Sequence, residues 1–267
     1  KQRNSSIFVV CGLNASIKIQ KYVICMLSKS QVKFIQQLSQ KKYRVQHGLF
    51  VVEGHKSIEE FIHAGYSPKD LYVTDHHLFR GYDALCIASQ QMKSISHLKT
   101  PSNALAVFPT PSHTVLKETD LILTLDAIQD PGNMGTLIRL CDWFGVRYLV
   151  CSYDTVDCYN PKVVRSSMGS LARVEVHYVD LPTWLSTQED YKILGASMSG
   201  ENMYSTSTPK RSILVIGNEG KGLSKAVAEQ LDKEVSIPSY GKAESLNAAM
   251  AAGILMAEIK RSQATQI

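Results

Sequence analysis

From Asp120 onward, short runs rich in Leu, Ile and Val alternate with helical patterns, and this alternation constrains the fold more than any other feature. DLILTLDAI (120–128) is apolar enough to be buried on both faces. A strand covered on both sides belongs in a sheet flanked by helices, and strands separated by helices pair in parallel. The same reading places strands at RYLVCS (147–152), VEVHYV (174–179), KILGAS (192–197), ILVIG (213–217) and EVSIP (234–238). QDPGNMGTLIRLCDWFGV (129–146) and NPKVVRSSMGSLAR (160–173) read as helix-bearing connections, and a last helix spans about Leu246 to Arg261. In the first of these, Pro131 and Gly132 break the strand, Asn133 can cap, and Leu137, Leu140, Cys141 and Phe144 make an apolar face. The expected class is α/β with a mostly parallel sheet.

The upstream part is smaller and differently patterned. SQVKFIQQLSQKK (30–42) sets Val32, Ile35 and Leu38 at helical spacing and reads as one amphipathic surface helix. GLFVVEGH (48–55) reads as a strand, HKSIEEFIHAG (55–65) as a helix ended by Gly65, and DLYVTD (70–75) and ALAVFP (104–109) as strands, together a small βαβ-type unit. PTPSHTVLKETD (109–120) has the Pro, Ser and Thr content of a linker. The expected division is therefore an extension of unclear role at 1–27, a small α/β domain at 28–112 and a larger one at 113–267.

Composition removes several function classes. No apolar run reaches membrane-spanning length. The basic opening, KQRNSSIFVVCGLNASIKIQKYVICM, is only faintly like a secretory leader, because polar residues break its apolar run; Met26 is an alternative start. Six cysteines without CxxC pairing point to a reduced, cytoplasmic setting and to no metal. The net charge of +5 is uneven: residues 1–27 hold 4 Lys/Arg and no Asp/Glu, residues 28–112 hold 10 and 6, and residues 113–267 hold 15 and 18. A polyanion held by the N-terminal part and a merely solvated lysine surface are both open on charge alone.

Three motifs carry chemistry. GNEGKG (217–222) follows a strand, but Lys221 precedes Gly222 rather than Ser or Thr, so it is not a P-loop, and no GxGxxG follows the first strand of either unit. Alone, the glycines mean a tight strand-to-helix turn. Asn133, Gly135 and Arg139 form N-x-G-x-x-x-R; Arg139 follows Asn133 by roughly two helical turns and is expected near the same face, as an anion anchor or an exposed polar residue. Ser245 and Asn247 flank Leu246 at a helix start, where one of them suffices as a cap and Leu246 is expected to be buried.

Together, N-x-G-x-x-x-R (133–139), LVIGNEGKGL (214–223) and I-P followed by ESLN (237–247) resemble, in order and spacing, the three signature motifs of the SpoU (TrmH-type) RNA 2'-O-ribose methyltransferases of the SPOUT superfamily. NPKVVRSSMGSLARVEV (160–176) is similar to the segment between the first two motifs, and residues 28–110 resemble the L30e-like substrate-binding domain that precedes the catalytic domain in many members. Ser239, where Met commonly follows the Pro, and Ala248-Ala249-Met250 depart from the pattern at packing positions.

The resemblance implies a C-terminal domain closed into a deep trefoil knot, which periodicity cannot reveal. It implies S-adenosylmethionine as cofactor, contacted by Gly217, Ile237 and Leu246, and a homodimer formed through the knotted region in which one subunit's arginine can serve its neighbour's site. Arg139 is then central to activating the ribose hydroxyl, with Asn133, Ser245 and Asn247 positioning it and Glu219 orienting the loop or the arginine. RNA is the implied substrate, ribosomal RNA in preference to transfer RNA. Lys41, Lys42, Arg44, Lys162 and Arg165 are the expected phosphate contacts. A non-catalytic RNA-binding protein, or a base methylase, are the alternative readings.

Overall fold

The structure, a computed structural model, describes residues 7–9, 23–112, 118–206 and 209–264. Most of the basic 1–25 segment thus lies outside the described residues. The chain forms two compact units, one reaching to Pro111 and taking in Tyr159–Pro161, the other running from Ser112 to Cys158 and from Lys162 onward.

In the first unit β1 (Ile7–Val9) and β2 (Val23–Cys25) pair antiparallel. Two helices, α1 (Lys29–Gln37) and α2 (Lys41–His47), follow where a single one was expected. Ser28 starts α1 with a capping box, its Oγ accepting from the Gln31 amide while Gln31 Oε1 accepts from the Ser28 amide. The break at residues 38–40 is held by Arg44, whose guanidinium reaches back and donates to the carbonyls of Leu38 at 2.9 Å and Ser39 at 2.7 Å. Carbonyls orphaned at a helix end need such donors. Arg44 is only 4% exposed, so it is bound into the fold instead of lying open to phosphate as its charge suggested. Arg44→Met is therefore expected to destabilise this unit by about 2–3 kcal/mol in urea unfolding, since hydrogen bonds from a charged donor are lost and two carbonyls are stranded.

The unit continues through β3 (Leu49–Glu53), α3 (His55–His63), β4 (Asp70–Val73), β5 (Ala84–Cys86), α4 (Ser89–Ile95) and β6 (Ala104–Pro109). Its sheet order is β3-β6-β4-β5, with β6 antiparallel to both β3 and β4. The expected βαβ pairing of β3 with β4 is thus interrupted by β6. Among the described residues one set of potential metal ligands comes together here: Asp75, His76 and His77 offer atoms within 4.8 Å of one another, with the Arg80 guanidinium against His77 Nδ1.

The second unit holds six parallel strands: β7 (Leu121–Leu125), β8 (Tyr148–Ser152), β9 (Glu175–Val179), β10 (Lys192–Asn202), β11 (Ser212–Ile216) and β12 (Lys233–Ser236). The helices are α5 (Pro131–Trp143), α6 (Pro161–Ser166), α7 (Leu181–Leu185), α8 (Lys225–Ala228) and α9 (Ala248–Ala264). Every residue of β7, β8 and β11 is buried, Thr124 included, as their dominantly apolar runs require. Ile122, Val150, Ile213 and Val215 pack with Leu181, Leu185 and Val227 in one cluster. On another side α5 and α9 approach closely, where a Cβ on Gly253 would come within 3.4 Å of Leu140.

Strand order is β12-β10-β11-β7-β8-β9. From β7 the chain moves outward to β8 and β9, then crosses back to lay down β10, slot β11 beside β7 and finish at β12. The order reverses between β7 and β11. In open α/β sheets such a switch point opens a crevice at the carboxyl ends of the strands, where ligands bind.

Candidate active site

Each motif hangs from one of these strand ends. After β7, Asp130 caps α5: its Oδ1 accepts from the Asn133 amide at 2.8 Å, and Pro131 occupies the first turn. Asn133 is therefore not the cap, and its side chain is released for tertiary contacts. The glycine of N-x-G is set by a crossing helix. A Cβ at Gly135 would lie 1.9 Å from Ser166 Oγ and 2.9 Å from the Ser166 carbonyl carbon. Ser166 also donates to the Pro131 carbonyl at 3.0 Å, which seats α6, with exposed Lys162 and Arg165, against the first turn of α5.

After β11, residues 217–224 form a tight loop. Asn218 and Gly222 exchange both backbone hydrogen bonds at 2.9 Å, with Gly222 at φ 69°. Asn218 Oδ1 accepts from the amides of Gly220 and Lys221, and its Nδ2 donates to the Ala127 carbonyl at 2.8 Å. At Gly217 a Cβ would sit 2.4 Å from the Gly222 carbonyl carbon and 2.5 Å from the Leu223 nitrogen. The close approach that demands glycine is the loop's own return.

After β12 the chain stays irregular until α9, which begins at Ala248. Asn247 caps it, its Oδ1 accepting from Ala249 at 2.9 Å and Met250 at 3.3 Å. Leu246 thus precedes the helix and is 46% exposed, not buried as expected. Ser245 is exposed and Ile237 half-buried.

The three motifs meet in one hydrogen-bonded chain. Asn247 Nδ2 donates to Asn133 Oδ1 at 2.8 Å, and Asn133 Nδ2 donates to Glu219 Oε1 at 2.7 Å. These residues are 114 and 86 positions apart in sequence. Glu219 thus meets Asn133, while Arg139 is exposed and has no hydrogen bond or ion pair among the described residues. At 100° per residue, six residues put Asn133 and Arg139 about 120° apart around α5, so the shared face expected for them is not realised.

The sequence reading passed over two residues that support this site, Asp126 and Asp130, and took Asn218 only as one of the residues the GNEGKG loop offers. The visible signal for Asp126 was a carboxylate closing an otherwise apolar strand run, a residue type that is seldom buried without a partner.

Comparison with known proteins gives the same assignment. The model of the SpoU rRNA methylase family matches residues 120–257. The chain belongs to this family. An MRM3-like substrate-binding domain matches residues 29–106 ahead of the SpoU domain. The 23S rRNA (guanosine(2553)-2'-O)-methyltransferase RlmP of Bacillus subtilis is 32% identical over 238 residues, covering 86% of this chain and 96% of RlmP. A TrmH-family structure from Porphyromonas gingivalis superposes with a TM-score of 0.81 at 36% identity, over 88% of this chain and 99% of that one. The SpoU methyltransferase AviRb of Streptomyces viridochromogenes, solved in complex with AdoMet, gives 0.80 at 27% identity, over 89% and 99%. The SpoU assignment thus agrees with the three motifs that the hydrogen bonds bring together. Among the described residues no helix is long and apolar enough to cross a membrane.

Proposed function

We propose that this chain transfers a methyl group from S-adenosylmethionine to a ribose 2'-hydroxyl of structured RNA, ribosomal RNA in preference to transfer RNA. The observation that carries the reading is the Asn247–Asn133–Glu219 chain at the switch point, with Arg139 unengaged on the same helix. RlmP and AviRb, similar over almost their whole lengths, support the cofactor and the substrate class.

The residues present suit the cofactor. Ile237, directly after β12, is half-buried and Leu246 is 46% exposed, so both leave aliphatic surface uncovered, which suits a purine face. When bound, the cofactor supplies a methyl group on a sulfonium. The hydroxyl is a poor nucleophile, so alignment and charge stabilisation do most of the work. Arg139 anchors the adjoining phosphate and stabilises charge developing on the ribose oxygen; a guanidinium holds its proton too firmly to serve readily as a base. Asn133, Ser245 and Asn247 hold the ribose, and Glu219 fixes the Asn133 amide so that its orientation is single-valued.

The protein acts in the cytoplasm as a homodimer and needs no metal. The angular offset of Arg139 from Asn133, and its lack of a partner among the described residues, fit an arginine that serves a second copy's site. Residues 28–112 bind substrate RNA, with Lys41 and Lys42 joining Lys162 and Arg165 as phosphate contacts. Lys162→Ala and Arg165→Ala should each weaken RNA binding uniformly across sequences and lower the salt slope by roughly one, as read in titrations at several salt concentrations.

The deciding experiment supplies radiolabelled S-adenosylmethionine with unmodified ribosomal or transfer RNA and digests the product with nuclease. Label in resistant dinucleotides from ribosomal RNA is the expected result. Label on a base, or no transfer to either RNA, rejects the reading.

A further inference from the structure

We infer that Asp126 is a positioning residue: it latches the 217–224 loop and so sets where Glu219 meets Asn133. The inference rests on the reading of the site given above, but its geometry can be tested apart from any activity.

Asp126 is 5% exposed at the carboxyl end of β7. Its Oδ2 accepts from the Ser224 amide at 2.6 Å, the short length of a charge-assisted bond. A buried carboxylate is costly to keep unless it is hydrogen-bonded, and in these surroundings the bond it makes is strengthened. The loop it holds needs such a restraint, because Gly217, Gly220 and Gly222 all lie between β11 and Ser224 and each adds backbone freedom.

The residues around Asp126 close a ring. The Asp126 amide donates to the Ile216 carbonyl at 2.9 Å, where the loop leaves β11. Ala127 sits at φ 57°, unusual for a residue with a side chain, with its amide donating to Ser152 Oγ and its carbonyl accepting from Asn218. Asp130 then starts α5, Asn133 reaches Glu219, and Glu219 is covalently joined to Asn218. Both halves of the Asn133–Glu219 contact are thus built on residues 126–127. The bond to Ser224 adds a restraint at the far end of the loop, beyond the Asn218–Gly222 pair that closes its middle.

The test compares Asp126→Ala, Asp126→Asn and Ser224→Pro. Asparagine keeps an oxygen able to accept from Ser224. Proline removes the Ser224 N–H at a residue whose φ of −66° proline adopts. In the ligand-free protein, Asp126→Ala and Ser224→Pro are expected to raise amide hydrogen exchange across 217–224 by about tenfold or more and to shift or broaden the Asn133 side-chain NH2 resonances, with kcat falling by a similar factor. Asp126→Asn is expected to restore protection, resonances and kcat together. A loop whose exchange is unchanged in Asp126→Ala, or Asn133 resonances that stay in place while the loop loosens, overturns the inference. If Asp126→Ala does not fold, Ser224→Pro carries the same comparison. The exchange and resonance readouts decide the latch whichever reaction the wild type catalyses, whereas absence of methyl transfer by the wild type rejects only the reading of the site.

Discussion

Arg139→Ala is expected to lower methyl transfer by roughly 10²–10³-fold while leaving the affinity for S-adenosylhomocysteine nearly unchanged, since a donor aimed at developing charge contributes in the transition state and not in cofactor binding. The side chain is exposed on α5 and has no partner among the described residues, so its removal strands no buried group and opens no cavity. Thermal unfolding should stay within about 0.5 kcal/mol of wild type, the usual range for surface changes. Arg139→Lys keeps the charge but loses the planar fork and should recover only part of the rate. Single-turnover transfer, with calorimetry of S-adenosylhomocysteine, separates the terms. Equal losses of rate and cofactor affinity would remove Arg139 from the chemistry.

Gly217→Ala should act on the opposite term. The added methyl falls 2.4–2.6 Å from backbone atoms of Gly222 and Leu223, which no rotamer change can relieve. The loop must open, with a stability cost of about 1–3 kcal/mol typical of forced overpacking. Because the Asn218–Gly222 bridge closes over this point, cofactor affinity and turnover should both fall by tenfold or more. Gly241→Ala is the control, since a Cβ there meets nothing within 4 Å. A Gly217→Ala protein with wild-type cofactor affinity would show that the loop tolerates opening and that the cofactor does not depend on its closure.

The strands of the second unit were legible because β7, β8 and β11 are buried on both faces and read as dominantly apolar runs, with Thr124 the one polar residue between their ends. The three motifs were legible because each lies in the connection that follows a strand, GNEGKG immediately after β11 and the other two a few residues further on. Packing details were not. Two good caps, Asp130 and Asn133, stand three residues apart, and only the bond at 2.7 Å to distant Glu219 explains which one is free for other work. Arg44 reads as surface because charge usually is, but a helix break that periodicity ran straight across requires it inside. Pairing of β6 between β3 and β4 is a long-range choice that no local pattern encodes. Leu246 reads as buried beside a helix start, yet the helix begins two residues later.

The slot that β11 fills has a consequence for synthesis on the ribosome. One edge of β7 pairs with β8, whose residues follow within about two dozen positions, but its other edge waits for Ser212–Ile216. At about 5–20 residues per second, the 86 residues from Asn133 to Glu219 alone take roughly 4–17 s to emerge. Throughout that interval the strand LILTL, apolar and with no charge to blunt it, presents an open edge to any other nascent chain. Non-local parallel pairing is slow even after the residues exist. Yield of the native protein should therefore depend on translation rate and on chaperones that bind extended apolar segments, because the strand that bears the first half of the site keeps one edge open until β11 has been made.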